Sequence, residues 1–161
     1  MELLSSNSDK ALVFSQWVTY LNLIELSLKD AGIQFVRLDG RMLRSQRERA
    51  INDFNNNPNI KVFLISLKCG SMGLNLVVAN RCFLMDPWWN PSIEDQAIDR
   101  IYRIGQTRPV SIFRLVIENS IEDRVIELQD KKCELISRAF GSNKPKRLES
   151  EIIKDLQNLL L

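Results

Sequence analysis

Five short apolar runs recur along this chain, and their spacing fixes most of what it can fold into. They are KALVFS (10–15), IQFVRL (33–38), KVFLIS (61–66), RCFLMD (81–86) and VSIFRLVI (110–117). Most are continuously apolar rather than alternating, as strands covered on both faces require. Between them lie patterns with helical period. Trp17, Leu21, Ile24 and Leu28 recur at +4, +3 and +4 and stop before Gly32. Ser45 is the expected cap of a second helix through Ala50, Ile51 and Phe54, which ends in NNNP (55–58). Pro91-Ser92 opens a third helix, expected to run to Gly105. A long fourth helix from Ser120 carries Ile121, Val125, Leu128, Leu135 and Ile136 on one side, with Ser120 and Asp123 at capping-box spacing. Strand–helix alternation at this interval predicts an α/β fold of βαβ units around a mainly parallel sheet.

Ligands of such sheets bind at the carboxyl ends of the strands. Here those ends are Ser15-Gln16, Asp39-Gly40, Ser66-Leu67-Lys68 and Asp86-Pro87. The expected organisation is an N-terminal extension (1–9), the α/β lobe (10–119), the long helix (120–140), and a polar connector with a short apolar helix (141–161).

The chemistry open to the chain is narrowed by what it lacks. Its 161 residues contain no histidine, which removes the usual general base and the commonest metal ligand. Cys69, Cys82 and Cys133 form no CxxC pair, so no cysteine metal site is expected and a reducing compartment suits them. No apolar run reaches the ~20 residues of a membrane span, so no membrane partner is expected. Net charge is only +2, so any case for nucleic acid rests on local clusters.

Four clusters stand out. In EDQAIDRIYRIGQTRPV (94–110), Gln96, Arg100 and Arg103 fall at i, i+4 and i+7, on one face of the expected helix. Two guanidiniums so placed either meet an anion such as a triphosphate, or pair with Glu94, Asp95 and Asp99 on a solvated face. SLKCGSMGLNL (66–76) is a glycine-containing loop after a strand, fit for close backbone approach to a ligand or for a plain turn; no GxxxxGK[ST] occurs. RLDGRMLRSQRER (37–49) gathers Arg37, Arg41, Arg44, Arg47 and Arg49 against Asp39 and Glu48, either a nucleic-acid track or a solvated helix start. DPWWNP (86–91) holds two tryptophans, one expected in the core and the other free to switch or stack.

In order, KALVFSQW, RLDGRM with its following SxxR, SLKCGSMGLNL, DPWWNP and EDQAIDRIYRIGQTRPV resemble the second RecA-like lobe of the Swi/Snf family of ATP-dependent DNA translocases, in helicase superfamily two. The wording SLK, DPWWNP and IEDRVIELQDKK resembles in particular the branch of the helicase-like transcription factor and the fungal DNA-repair ring-finger proteins. The resemblance covers residues 10 to 140 and implies a three-layer RecA-like fold with the fourth helix as a brace.

It further implies that Gln96, Arg100 and Arg103 act on ATP bound to another lobe, the arginines as fingers on its γ-phosphate at the sheet's carboxyl-end cleft. Gly73 and Asn75 match the motif joining nucleotide to DNA. Ser15, Gln16, Arg37, Gly40 and Ser66 match positions that meet the DNA backbone, and Trp89 matches a tryptophan that couples DNA contact to hydrolysis. ATP with magnesium belongs mainly to the first lobe, so this lobe alone is expected to hold no cofactor and to be inactive as an ATPase. The implied partners are double-stranded DNA, that first lobe, and chromatin or repair factors; the implied compartment is the nucleus. Two departures are plain: Tyr102 stands where many relatives carry histidine, and Ser71-Met72 replace glycine and valine. The other reading is a DNA- or protein-binding module that keeps the fold without the motor.

Overall fold

The computed structural model describes residues 9–69 and 74–141. Five strands form one wholly parallel sheet: β1 (Ala11–Ser15), β2 (Phe35–Leu38), β3 (Val62–Ser66), β4 (Arg81–Leu84) and β5 (Ser111–Arg114), in the spatial order β2-β3-β1-β4-β5. The register sets Ser15 opposite Ser66, and Phe14 opposite both Ile65 and Leu84. Four helices connect or follow them: α1 (Val18–Asp30), α2 (Arg44–Asn56), α3 (Pro91–Ile98) and α4 (Ile121–Gly141).

The chain steps one way from β1 to β2 and the opposite way at every later crossover. Right-handed crossovers then place α1 on one face of the sheet and α2 and α3 on the other. The core divides accordingly. Leu12 and Phe14 of β1 and Phe63 and Ile65 of β3 pack with Ala50 and Phe54 of α2 and Ala97 of α3. Val13, Val62 and Leu64 point the other way, onto Leu21, Ile24 and Leu28 of α1. Alternation within a strand thus feeds two apolar layers. Phe54 and Phe63 lie 5.0 Å apart in tilted contact, and each such buried ring contributes about 1.5–3 kcal/mol.

Several expected boundaries move. The second helix is not capped by Ser45: Leu43 is its N-cap, and the Gln46 side chain accepts the Leu43 N–H at 2.9 Å. The third helix stops at Ile98 rather than at Gly105, because the 99–106 segment turns tightly to bury Ile101 and to bond the chain that leads into β4. At α4 the expected capping box forms: Asp123 accepts the Ser120 N–H at 3.2 Å, and the Ser120 hydroxyl accepts the Glu122 N–H at 3.1 Å. The apolar side expected of α4 is only partly covered: Val125, Leu128 and Leu135 are half-buried. Ile121 is 68% exposed, and of the α4 side chains described only Gln129 is buried. Gly73 and the polar connector with its short helix lie outside the described residues.

Candidate functional site

Because the sheet is parallel, Ser15, Gln16, Asp39, Gly40, Ser66 and Asp86 gather at one edge, as expected. Asp86 organises the centre of that edge. Its carboxylate accepts the Ser15 hydroxyl and, at 2.9 Å, the Gln16 N–H; the Ser15 hydroxyl in turn accepts the Trp17 N–H at 3.0 Å. Burial pushes the Asp86 carboxyl above its ordinary range, and the Ser15 and Gln16 donors pull it partly back. Ser15 is only 1% exposed, so its hydroxyl serves Asp86. Ser66 is also buried, hydrogen-bonded with the Cys69 thiol.

Arg37 is likewise occupied. It meets Asp39 at 3.0 Å, Glu25 at 2.8 Å and Asn22 at 2.7 Å. Glu25 is held below the usual carboxylate range by its bond to Lys29 and then by Arg37, against an opposing burial effect. In the rest of the basic run Arg44 pairs with Glu48 at 2.9 Å, and Arg47 donates to the carbonyls of Met42 and Gly40. Arg41 and Arg49 are exposed, with no carboxylate partner among the described residues. Arg41 and Arg49 are thus the cations of this patch without a carboxylate, and Gly40 beside Arg41 is exposed.

The second group of candidates lies elsewhere. α3 leaves the carboxyl edge at Asn90, whose side chain caps it by accepting the Ser92 N–H, and descends towards the amino end of β5. Arg100 and Arg103 therefore sit past its last turn, beside the segment leading into β4. The Leu76 N–H donates to the Arg100 carbonyl at 3.1 Å. The Gln106 amide donates to the carbonyls of Val77 (3.0 Å) and Ala79 (2.8 Å). Expectation and structure differ here on two counts. Gln96, Arg100 and Arg103 do not share a helical face, and the arginines do not stand at the carboxyl ends of the strands. What the structure brings together is the arginine turn with Leu74–Leu76, so exposed Asn75 accompanies the arginines rather than the Ser15 edge.

The ion pairs offered by the solvated-face alternative do not form among the described residues. Arg100 donates Nε–H to the Gln96 carbonyl at 2.8 Å, and neither arginine has a carboxylate partner among the described residues. Arg103 is exposed. Glu94, one of the acids expected to neutralise them, is buried and faces Arg114 at 2.8 Å instead.

Between the two groups stands DPWWNP. Trp88 packs on the core while Trp89 remains 54% exposed, the division expected of the pair. The Lys132 ammonium lies 4.6 Å from the Trp89 ring centre and donates to the Trp89 carbonyl at 3.0 Å. Among the described residues no three His, Cys, Asp or Glu side chains converge as a cation site. Among the described residues no helix is long and apolar enough to cross a membrane.

Asp86, Glu94 and Gln129 were not marked as organising residues by sequence reasoning. Asp86 had a local signal, an acid at a strand's carboxyl end before proline. The other two had none, since they meet across 35 residues.

Residues 1–105 match the helicase conserved C-terminal domain. The chain belongs to that family. It is 50% identical over 134 residues to helicase-like transcription factor CHR28 of Arabidopsis thaliana, covering 83% of this chain and 14% of that protein. It is 46% identical over 138 residues to the human helicase-like transcription factor, covering 84% and 14%. It is 40% identical over 152 residues to DNA repair protein RAD5B of Arabidopsis, covering 94% and 12%. The C-terminal part of the Fun30 ATPase domain superposes with a TM-score of 0.76 at 34% identity, covering 80% of this chain and 41% of that one. These relatives place the helicase lobe in the Swi/Snf group and its sheet in the RecA-like class. The chain spans about a seventh of the length of the curated relatives it matches.

Proposed function

We propose that this chain is the C-terminal motor lobe of an ATP-dependent double-stranded-DNA translocase that serves chromatin remodelling or DNA repair in the nucleus. The observation that carries the reading is the pair Arg100 and Arg103, held on a clamped turn with no carboxylate against either among the described residues.

ATP is the substrate, bound chiefly by a first RecA-like lobe of the parent protein. Phosphoryl transfer spreads negative charge over the γ-phosphate oxygens, and a guanidinium brought there neutralises it. Arg103, the more exposed of the two, is the principal finger. Arg100 is oriented by its Nε–H bond to the Gln96 carbonyl, which leaves its terminal nitrogens for the phosphate. Since these groups come from a separate lobe, hydrolysis requires closure of the two lobes. Asn75 accompanies the arginine turn, and by resemblance Gly73 and Asn75 join the nucleotide to the DNA. Magnesium, which offsets phosphate charge, belongs mainly to the first lobe.

The carboxyl edge supplies the DNA contacts. Gln16, Gly40 and Arg41 are its accessible members. Ser15, Arg37 and Ser66 act from behind, holding Asp86, Glu25, Asp39 and Cys69. Contacts to phosphates fix position without reading sequence, so affinity falls steeply with salt. Trp89 lies at the turn that joins this edge to α3 and so to the arginine turn beyond it, which suits it to relay DNA contact to hydrolysis.

The test is Arg103→Ala in the parent protein. DNA-stimulated ATP turnover should fall by about 10³-fold or more, while duplex affinity stays within about twofold. Unaltered turnover would refute the assignment.

A further inference from the structure

Glu94 carries no part of the function proposed above, yet it is the most enclosed acidic or basic side chain among the described residues, at 0% exposure. It occupies the first turn of α3, where a carboxylate is favoured by the helix dipole. One oxygen accepts the Trp88 N–H at 2.7 Å and the Gln129 amide at 2.7 Å. The other lies 2.8 Å from the Arg114 guanidinium. The Gln129 amide also donates to the Trp88 carbonyl. The tryptophan turn, α3, β5 and α4 therefore meet on one carboxylate.

The composition of this junction matters. A buried charge is costly unless fully partnered, so Glu94 has a narrow set of tolerated positions. α4 reaches the junction through Gln129, its only buried side chain among those described, and one turn later through Lys132 to the Trp89 carbonyl. A helix whose one fully buried side chain among those described is a hydrogen-bonding amide is held there in one register. α3 is two turns long, about 12 Å. Its amino end carries Glu94, and its carboxyl end continues directly into Arg100 and Arg103 through bonds from Asp99 to Asp95 and from Tyr102 to Ile98. A shift of the Glu94 end is thus passed to the arginine turn.

We infer that Glu94 is a positioning residue for Arg100 and Arg103, and that Gln129 makes their placement conditional on the docking of α4. The inference rests on the proposed role of the arginines in ATP hydrolysis. Misplacing a reacting geometry by about 1 Å costs on the order of 10²-fold in rate, so a loosened junction lowers kcat without removing an ATP contact.

The experiment uses the intact parent protein. Gln129→Leu removes the amide at similar volume. The expected results are a fall in kcat of roughly tenfold or more, a KM for ATP within about twofold, and faster amide exchange across residues 95–103, read without nucleotide. A second variant, Gln129→Met, keeps an unbranched side chain of similar length without the amide. It should lose exchange protection over 95–103 and kcat as Gln129→Leu does. Unchanged kcat and unchanged exchange in Gln129→Leu would overturn the inference, as would wild-type exchange protection in Gln129→Met. Failure is separable from that of the parent reading. If Arg103→Ala abolishes turnover while Gln129→Leu alters nothing, only the junction is wrong. If Arg103→Ala leaves turnover intact, the arginine assignment fails, whatever the exchange data show.

Discussion

Ser15→Ala separates two roles that the same residue was open to. Family resemblance implies a contact to the DNA backbone; the structure engages its hydroxyl with buried Asp86. Removing the hydroxyl strips a donor from a half-desolvated carboxylate and an acceptor from the Trp17 N–H. Leaving one buried acceptor unsatisfied costs about 1–3 kcal/mol, and the Trp17 N–H, close to solvent, adds little. The expected loss at neutral pH is therefore about 2 kcal/mol, or roughly 4–8 °C in Tm for a chain of this size. The loss depends on pH. Asp86 already titrates above its ordinary 3.8 in the folded state, so its ionisation disfavours folding as pH rises through that raised value. Without Ser15 the folded value rises further. The gap between wild type and variant therefore opens as pH climbs through the folded Asp86 value and closes below it, where the protonated acid no longer needs the donor. Urea unfolding at pH 7 and at pH 3.5 to 4 measures both limits. Stability within about 0.5 kcal/mol of wild type at pH 7, with a tenfold loss of duplex affinity, would refute the reasoning and return Ser15 to the DNA surface.

Three further outcomes are expected. Trp89→Ala, at a side chain more than half exposed, should cost less than about 1 kcal/mol of stability yet lower translocation per ATP hydrolysed in the parent protein; a loss of several kcal/mol would make Trp89 a core residue. Arg41→Ala should weaken duplex binding equally for unrelated sequences and reduce the slope of log affinity against log salt by about one, as fluorescence anisotropy reads. Glu25→Gln should lower thermal stability at pH 7. That difference should be present above the ordinary Glu value of 4.5 and vanish as pH falls through the depressed folded value, because the depressed carboxyl contributes only while ionised.

How much was legible in the sequence depended on the range of the forces involved. The runs KVFLIS and KALVFS identify buried strands because continuous apolarity is a local property, and their carboxyl ends gather because parallel pairing follows from alternation with helices. Strand limits were less visible: VSIFRLVI pairs only over Ser111–Arg114, and Leu115 to Ile117 stay exposed. The helix through 91–105 was overextended because its period continues past Ile98. Only the burial of Ile101 and the bonds to residues 76–79 break it, and those partners are distant in sequence. The same reason hid Glu94: as one of three acids near two arginines it resembles a surface counter-ion, and nothing nearby marks Gln129 or Arg114 as its partners. Arg37 and Ser15 were readable as polar residues at the edge, but not as residues already engaged by Glu25, Asp39 and Asp86.

The affinity of the parent protein for a transition-state mimic, ADP with aluminium fluoride, compared with a non-hydrolysable ATP analogue, addresses the arginines most directly. If Arg103 meets charge that develops on the γ-phosphate, Arg103→Ala should weaken the mimic by about 10³-fold while changing ground-state binding little. Equal losses for the two ligands, or none for either, would contradict the role assigned to it.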